Sequence, residues 1–387
     1  VKALVLLGDG MADEPLAELG GRTPLEYAST PNMDRLAREG RCGLVSTVPD
    51  GFEAGSDVAN MGLLGYDPAR YYTGRGPLEA GSMGVELGEG DVAYRCNLVT
   101  VENGVMADFS AGHISSGEGA ALLASLQEAC AEVRLHPGVS YRNLLVVPGG
   151  AGDPGTPPHD IVGRPVGPHL PGGPDRALLL RCMATAEAVF RDHPVNRARV
   201  EAGKPAATGI WPWSGGHSPA FPSFADRFGV AGGMISAVDL LNGIARYAGL
   251  ELIRVPGATG YLDTDYDAKA RYALEALERL DFVYCHVEAP DEAGHLGSIE
   301  EKVRAIERVD GMLGELMDGF EGVIAVLPDH ATPIRIRTHT RVPVPVAVRG
   351  LGRDATTRYS EREAEKGDLG LFEATALLPL LLGGSRR

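Results

Sequence analysis

Three short apolar runs stand out along the chain, and each stops at residues that turn the backbone and carry chemistry. Ala3-Leu4-Val5-Leu6-Leu7 ends at Gly8-Asp9-Gly10. Phe282-Val283-Tyr284-Cys285-His286-Val287 runs into a loop bearing Asp291 and His295, and Val323-Ile324-Ala325-Val326-Leu327 runs into Pro328-Asp329-His330. A continuous apolar run of this length suits a strand buried on both faces of a parallel sheet. Between the last two runs, Ile299, Val303, Ile306, Leu313 and Leu316 form a stripe at helical spacing that only Asp310 interrupts. That pattern predicts an amphipathic helix. Strand, helix and strand make a βαβ unit, so both ends of the chain are expected to feed one sheet.

The middle of the chain reads differently. Hairpin-like segments at Val92–Val101 and Gly104–Phe109 precede a helical pattern from Glu118 to Cys130. From Pro148 to Pro174, 16 of 27 residues are Gly or Pro, which marks an ordered surface loop or lid. At 387 residues the chain exceeds the size at which one core usually stops growing. The expected organisation is a discontinuous core, residues 1–84 and 201–387, with an inserted α+β cap at 85–200.

Charge narrows the function classes. Thirty-six basic against 52 acidic residues give a net charge of −16, which repels nucleic acid and anionic lipid. A phosphorylated substrate would be repelled too, unless metals and a few arginines reverse the sign locally. The five cysteines (Cys42, Cys96, Cys130, Cys182 and Cys285) never form a C-x-x-C pair, which argues against a disulfide framework or thiolate zinc site. All five are expected as small buried hydrophobes. No signal peptide precedes Ala3–Leu7, and the leucine-rich stretch Leu377–Leu382 is too short to span a bilayer. A reduced cytoplasmic setting, away from membranes, is the expectation.

In open parallel sheets ligands bind beyond the carboxyl ends of the strands. Asp9, Asp291, His295, Asp329 and His330 fall there, and His339 follows nine residues after His330. Each alone reads more simply as a cap or turn residue. Six at one sheet edge read instead as ligands for two divalent ions, with Mn²⁺, Zn²⁺ or Co²⁺ suiting mixed carboxylate and imidazole donors better than Mg²⁺. Ser56, in Gly55-Ser56-Asp57-Val58-Ala59-Asn60, opens a small-residue helical run. It reads as an N-cap or as a nucleophile facing an anion-binding helix N-terminus, and the loop alone leaves both open. No G-x-x-x-x-G-K-[ST], H-E-x-x-H or G-x-S-x-G motif is present, and Gly74-Arg75-Gly76 lacks the third glycine of a dinucleotide fingerprint.

These segments together resemble the archaeal-type, cofactor-independent phosphoglycerate mutases, a branch of the alkaline phosphatase superfamily. The resemblance rests on Leu7–Met11, Thr30–Asp34, Gly55-Ser56-Asp57, Tyr72–Glu79, Asp291–His295, Asp329-His330 and His339. It implies an alkaline-phosphatase-like α/β core with an inserted cap. Asp9, Ser56, Asp329 and His330 would hold one metal, and Asp291, His295 and His339 the other. Ser56 would carry a phosphoryl group taken from 3-phosphoglycerate and returned to the 2-hydroxyl, while the cap excludes water. Arg75, Arg95, Arg142 and Lys204 are candidate cations for this small phosphorylated substrate, and His113 and His159 are candidate proton carriers. The stretch Gly155-Thr156-Pro157-Pro158-His159-Asp160 departs from the acidic run of the archaeal mutases and looks like a bacterial branch with proposed homoserine kinases. Transfer to homoserine or a related small hydroxy acid is therefore the alternative. A plain phosphatase and a non-catalytic metal-binding regulator are further rivals. Oligomeric state leaves no mark in the sequence.

Overall fold

The computed structural model describes residues 1–383, which fall into two compact units: Val1–Tyr72 with the chain from Ala220 onward, and Thr73–Pro219. The strands in chain order are β1 (Ala3–Gly8), β2 (Gly40–Ser46), β3 (Val92–Glu102), β4 (Val105–Asp108), β5 (Arg134–Val139), β6 (Arg142–Val147) and β7 (Gly209–His217). Then follow β8 (Gly232–Ile235), β9 (Glu251–Leu252), β10 (Phe282–Val287), β11 (Val323–Leu327), β12 (Val344–Arg349) and β13 (Gly370–Glu373). Among the described residues no helix is long and apolar enough to cross a membrane.

The first unit holds an eight-stranded sheet in the order β13-β2-β12-β11-β1-β10-β8-β9. The three apolar runs of the sequence are its parallel centre, and every residue of β1, β10 and β11 is buried. Register matters for function: Leu7 pairs with both His286 and Leu327, so the three strands end side by side. Only β12 runs antiparallel, to both β11 and β2. Leu4, Leu6, Val283, Cys285, Ile324 and Val326 pack against Ile306, Val309, Leu313 and Leu316 of the Ile299–Gly319 helix. Asp310, the break in that stripe, is buried and accepts the Met33 amide at 2.7 Å and the Asn32 amide at 3.3 Å. It thereby caps the Pro31–Glu39 helix, whose own N-cap residue Thr30 makes no side-chain cap bond.

A part-buried glutamate has a pH consequence. Glu361 accepts the Asp13 amide at 3.1 Å and the Thr23 hydroxyl at 2.8 Å, and burial pushes it up to about 7. The unfolded chain releases this proton near pH ~4.5, whereas the folded protein holds it to about 7. Between those values the folded state binds more protons, so stability from this group is full below the lower value and falls as pH rises to the upper one. Glu361→Gln should therefore leave the denaturation midpoint unchanged near pH 4 and raise stability at pH 8 by about 3 kcal/mol. Equal wild-type and variant stabilities at pH 8 in urea titrations would contradict this.

The second unit is a five-stranded antiparallel sheet, β4-β3-β6-β5 with β7 on the other edge of β3. Helices Ser116–Ala129 and Arg176–Arg191 cover one face, burying Leu122, Leu126, Leu179 and Phe190 against Tyr94, Cys96 and Leu98. The Gly/Pro-rich stretch holds only two short 3₁₀ turns, Pro158–Asp160 and Gly167–His169. The boundaries fall at 72/73 and 219/220, wider than the expected 84/85 and 200/201. One cause is the Arg75–Met83 helix, which lies so close to β3 that a Cβ on Gly76 would stand 2.0 Å from the Ala93 carbonyl. The other is β7, which pairs with β3 from Gly209 to His217. Its sequence, Gly-Ile-Trp-Pro-Trp-Ser-Gly-Gly-His, carries the residues that ordinarily argue against a strand.

Candidate active site

The carboxyl ends of the adjacent strands β11, β1 and β10 deliver the six candidate ligands of the sequence reading to one place. Asp9 follows β1 and is fully buried. Gly10 beside it has φ +65°, and a Cβ there would meet Thr332 Oγ1 at 2.6 Å and Asp291 at 2.8 Å, so only glycine passes this corner. Asp291 and His295 sit one turn apart on the Ala289–Leu296 helix after β10, with Oδ2 and Nε2 at 3.1 Å. Asp329 and His330 follow β11. Three sets of donor atoms lie within 4.8 Å of one another: Asp291, His330 and His339; Asp9, Asp329 and His330; and Asp9, Glu288 and Asp291. His330 thus belongs to two of them. His295 reaches the first set from its exposed side, with Nε2 at 3.1 Å from His339 Nε2.

The histidines are turned by their second nitrogen. His295 Nδ1 lies 2.9 Å from the Arg337 carbonyl, and His339 Nδ1 lies 3.2 Å from the Ala54 carbonyl. A carbonyl accepts only, so each Nδ1 carries a proton and each ring turns Nε2 toward Asp291, where it holds a second proton or, with that proton displaced, a lone pair for a cation. With those protons displaced, the two lone pairs 3.1 Å apart would repel unless a cation stood with them. Asp9 Oδ1 is buried without a hydrogen-bond partner. The donor set therefore fits divalent metal ions, with oxygens and imidazoles mixed.

Ser56 completes the arrangement. It is the first residue of the Ser56–Leu63 helix, and the N-cap is Gly55, so the capping reading of this serine gives way. Its Oγ donates to Asp9 Oδ2 at 3.2 Å and stands 3.0 Å from His330 Nε2. Asn60, one turn on, donates to Asp329 Oδ2 at 2.8 Å and to the Ser56 carbonyl at 2.7 Å, and Tyr284 donates to its oxygen. The helix that aims the hydroxyl is therefore locked to the strand that carries Asp329.

Charge is badly out of balance without cations. Burial, then the carboxylates of Asp329, Asp291 and Glu288, pushes Asp9 well above the usual carboxylate range. Burial and then Asp291 push Glu288 up to about 8. Asp291 is pulled the other way: burial opposes it, but hydrogen bonds from His295 and His339 hold it well below the usual range. The reciprocal bond from Asp291 lifts His295 to about 9, a proton standing where a cation would.

Four residues at this site escaped the sequence reading. His286 lies inside β10, its Nε2 2.8 Å from Asp9 Oδ2, and burial pushes it down to about 3. It was visible as the one imidazole in an apolar strand. Thr332 donates to Asp291 and lies 3.1 Å from His330 Nδ1. Asn60 and Glu288 carried no sequence signal beyond their neighbours.

The second unit gathers candidate substrate residues around aromatic rings. The Arg95 guanidinium lies 4.8 Å from the Trp213 ring and that of Arg75 5.9 Å from it, while Arg142 lies 5.9 Å from Tyr141. His159 meets Trp213 edge-on at 5.7 Å, and His113 meets Tyr141 at 5.9 Å. Burial, and then the charges of Arg75 and Arg95 against the opposing pull of Asp160, lowers His159. His113 ends a run of left-handed residues, Ala111 (φ 48°), Gly112 (φ 66°) and His113 (φ 49°), which Asp108 holds through the Ser110 and Gly112 amides. Such backbone strain concentrates at functional sites. Lys204 is exposed and precedes Pro205, which lies against Gly112.

Comparison with known proteins gives a single answer. Residues 37–196 match the family model described as 2,3-bisphosphoglycerate-independent phosphoglycerate mutase. A protein of that name from Methanothrix thermoacetophila is 51% identical, over 99% of this chain and 100% of its own. A Pyrococcus horikoshii structure aligns with a TM-score of 0.86 and 34% identity, covering 100% of this chain and 98% of the other. The cofactor-independent phosphoglycerate mutase of Thermoplasma acidophilum aligns with a TM-score of 0.70 and 28% identity, covering both chains fully.

Proposed function

The chain belongs to the family of 2,3-bisphosphoglycerate-independent phosphoglycerate mutases, and from that premise we propose how its own residues interconvert 3-phosphoglycerate and 2-phosphoglycerate. The observation that carries the proposal is Ser56 Oγ, which sits at a helix N-terminus within 3.2 Å of Asp9 and 3.0 Å of His330. Divalent ions held by Asp9, Asp329 and His330 and by Asp291, His295 and His339 would acidify the serine hydroxyl and neutralise the phosphoryl oxygens. The mixed donors favour Mn²⁺, Co²⁺ or Zn²⁺ over Mg²⁺.

Ser56 Oγ attacks phosphorus, the Oγ–P bond forms as the bond to the 3-oxygen breaks, and the serine proton passes toward Asp9. The positive end of the Ser56–Leu63 helix dipole faces the incoming phosphoryl charge. His286 and Asn60 hold Asp9 and Asp329 in place while charge shifts. Arg75, Arg95 and Arg142 take the carboxylate and phosphate of the substrate, a job for planar, always-charged groups. His113 and His159 are the candidate proton carriers that the second unit offers. Glycerate then returns its 2-oxygen to phosphorus, regenerating Ser56. A reaction of this kind on a small soluble metabolite belongs in the cytoplasm.

Purified protein should convert 3-phosphoglycerate to 2-phosphoglycerate with no bisphosphoglycerate added. Treatment with a chelator should remove at least about 99% of that activity, and Mn²⁺ or Co²⁺ should restore it. Full turnover by protein shown metal-free by elemental analysis would sink the assignment.

A further inference from the structure

Outside this site, a pair of sulfurs stands close in the core of the second unit. Cys130 closes the C-terminal end of the Ser116–Ala129 helix, and Cys182 lies inside the Arg176–Arg191 helix packed beside it. Both are buried in the apolar core of the second unit, and their Sγ atoms stand 2.6 Å apart. Carbon atoms rest against each other at roughly 3.5–4.0 Å, and sulfur is larger than carbon, whereas bonded sulfurs lie about 2.05 Å apart. A separation of 2.6 Å is therefore too short for two thiols in simple contact. Cys42 differs: its sulfur accepts a hydrogen bond from Thr356.

We propose that Cys130 and Cys182 are an oxidation site that closes to an intrachain disulfide, with a small disulfide such as oxidised glutathione as the oxidant. Cys130 lies at a helix end and is 6% exposed, against 1% for Cys182, so it is the sulfur that meets the oxidant first. As thiolate it attacks the small disulfide, releasing one small thiol and leaving a mixed disulfide. The Cys182 thiolate then displaces the second small thiol from Cys130. Two protons and two electrons leave the protein, and one small disulfide becomes two small thiols. Burial, and then the neighbouring Cys130 thiol, holds the Cys182 thiol above its usual value, so the reaction is slow and follows transient opening of the core.

The bond would close a loop from Cys130 to Cys182. That loop contains β5, β6 and the Gly/Pro-rich stretch Pro148–Pro174, and so carries Arg142 and His159. Closing a loop of this length restricts the unfolded chain strongly, so the oxidised protein should be the more heat-resistant form.

The test incubates the full-length protein with oxidised glutathione a few degrees below its melting temperature, then compares it with the same protein reduced by dithiothreitol. The intact mass should fall by two hydrogens, three of the five cysteines should remain alkylatable in denaturant, and proteolysis should yield one linked peptide pair, Cys130 to Cys182. The melting midpoint should rise by about 5 °C or more. Cys182→Ala should lose the mass change and the shift, while Cys42→Ala keeps both. Five alkylatable thiols after oxidation, a persistent glutathione adduct, or linkage of a different pair would each overturn the proposal. Peptide mapping of the unmutated protein decides the matter even if the Cys182 variant fails to fold.

Discussion

Ser56→Ala should lower mutase turnover by about 10⁴-fold or more, because loss of a covalent nucleophile removes the step rather than weakening it. The variant should still fold. Ser56 is the first helical residue, not the cap, and among the described residues its hydroxyl bonds only to Asp9 Oδ2 and His330 Nε2. Neither bond holds backbone, and Asn60 still ties the helix to Asp329. A coupled assay for 2-phosphoglycerate beside a thermal melt separates the two effects. Residual activity above a few per cent with an unchanged melt would show that phosphate moves without this serine.

Lys302→Met should be the most damaging substitution for stability away from the chemistry. Lys302 is fully buried on the Ile299–Gly319 helix, and its ammonium donates to Asp13 Oδ2 at 2.8 Å, to the Ala12 carbonyl at 3.1 Å and to the Thr332 carbonyl at 2.9 Å. Ala12 and Asp13 belong to the loop that follows Asp9, and Thr332 to the loop that follows His330. One ammonium therefore ties together the two loops that present the proposed metal ligands. Removing it leaves the buried Asp13 carboxyl, among the described residues, with the Glu14 and Ile334 amides as its remaining partners. Breaking such a pair from one side costs about 3–5 kcal/mol. Urea denaturation should show that loss, and metal affinity should fall with it as the loops loosen. Lys302→Met with Asp13→Asn should recover part of the stability, since the orphaned charge is gone; a double variant no better than the single would count against the ion-pair account.

Legibility in the sequence followed burial. The strands β1, β10 and β11 are buried on both faces, so their apolar runs were unbroken, and the ligands sat just beyond them in an order that the sheet preserves. Strands β2 and β12, farther from the parallel centre, gave weaker runs; Gly40, Gly43 and Pro345 interrupt them. Residues whose role depends on cross-chain contact were the hidden ones. Asp310 looked like a flaw in a helix stripe and proves to be the cap of another helix more than 270 residues away. Asn60 meets Asp329 across 269 positions, and no spacing rule reaches that far. The cysteines, expected as five inert core residues, hold a pair that only folding brings to 2.6 Å. The unit boundary was misplaced because β7, rich in glycine and interrupted by Pro212, does not read as a strand until β3 pairs with it.

The central claim is that the phosphoryl group passes through Ser56, and the most direct measurement catches it there. Protein mixed with 3-phosphoglycerate labelled in its phosphate is quenched in acid within one turnover, digested, and its labelled peptide sequenced by mass spectrometry. The account predicts phosphoserine at position 56, formed at least as fast as 2-phosphoglycerate and lost when unlabelled substrate is chased in. Turnover at full rate with no label on the protein, or with label on a histidine instead, would contradict it.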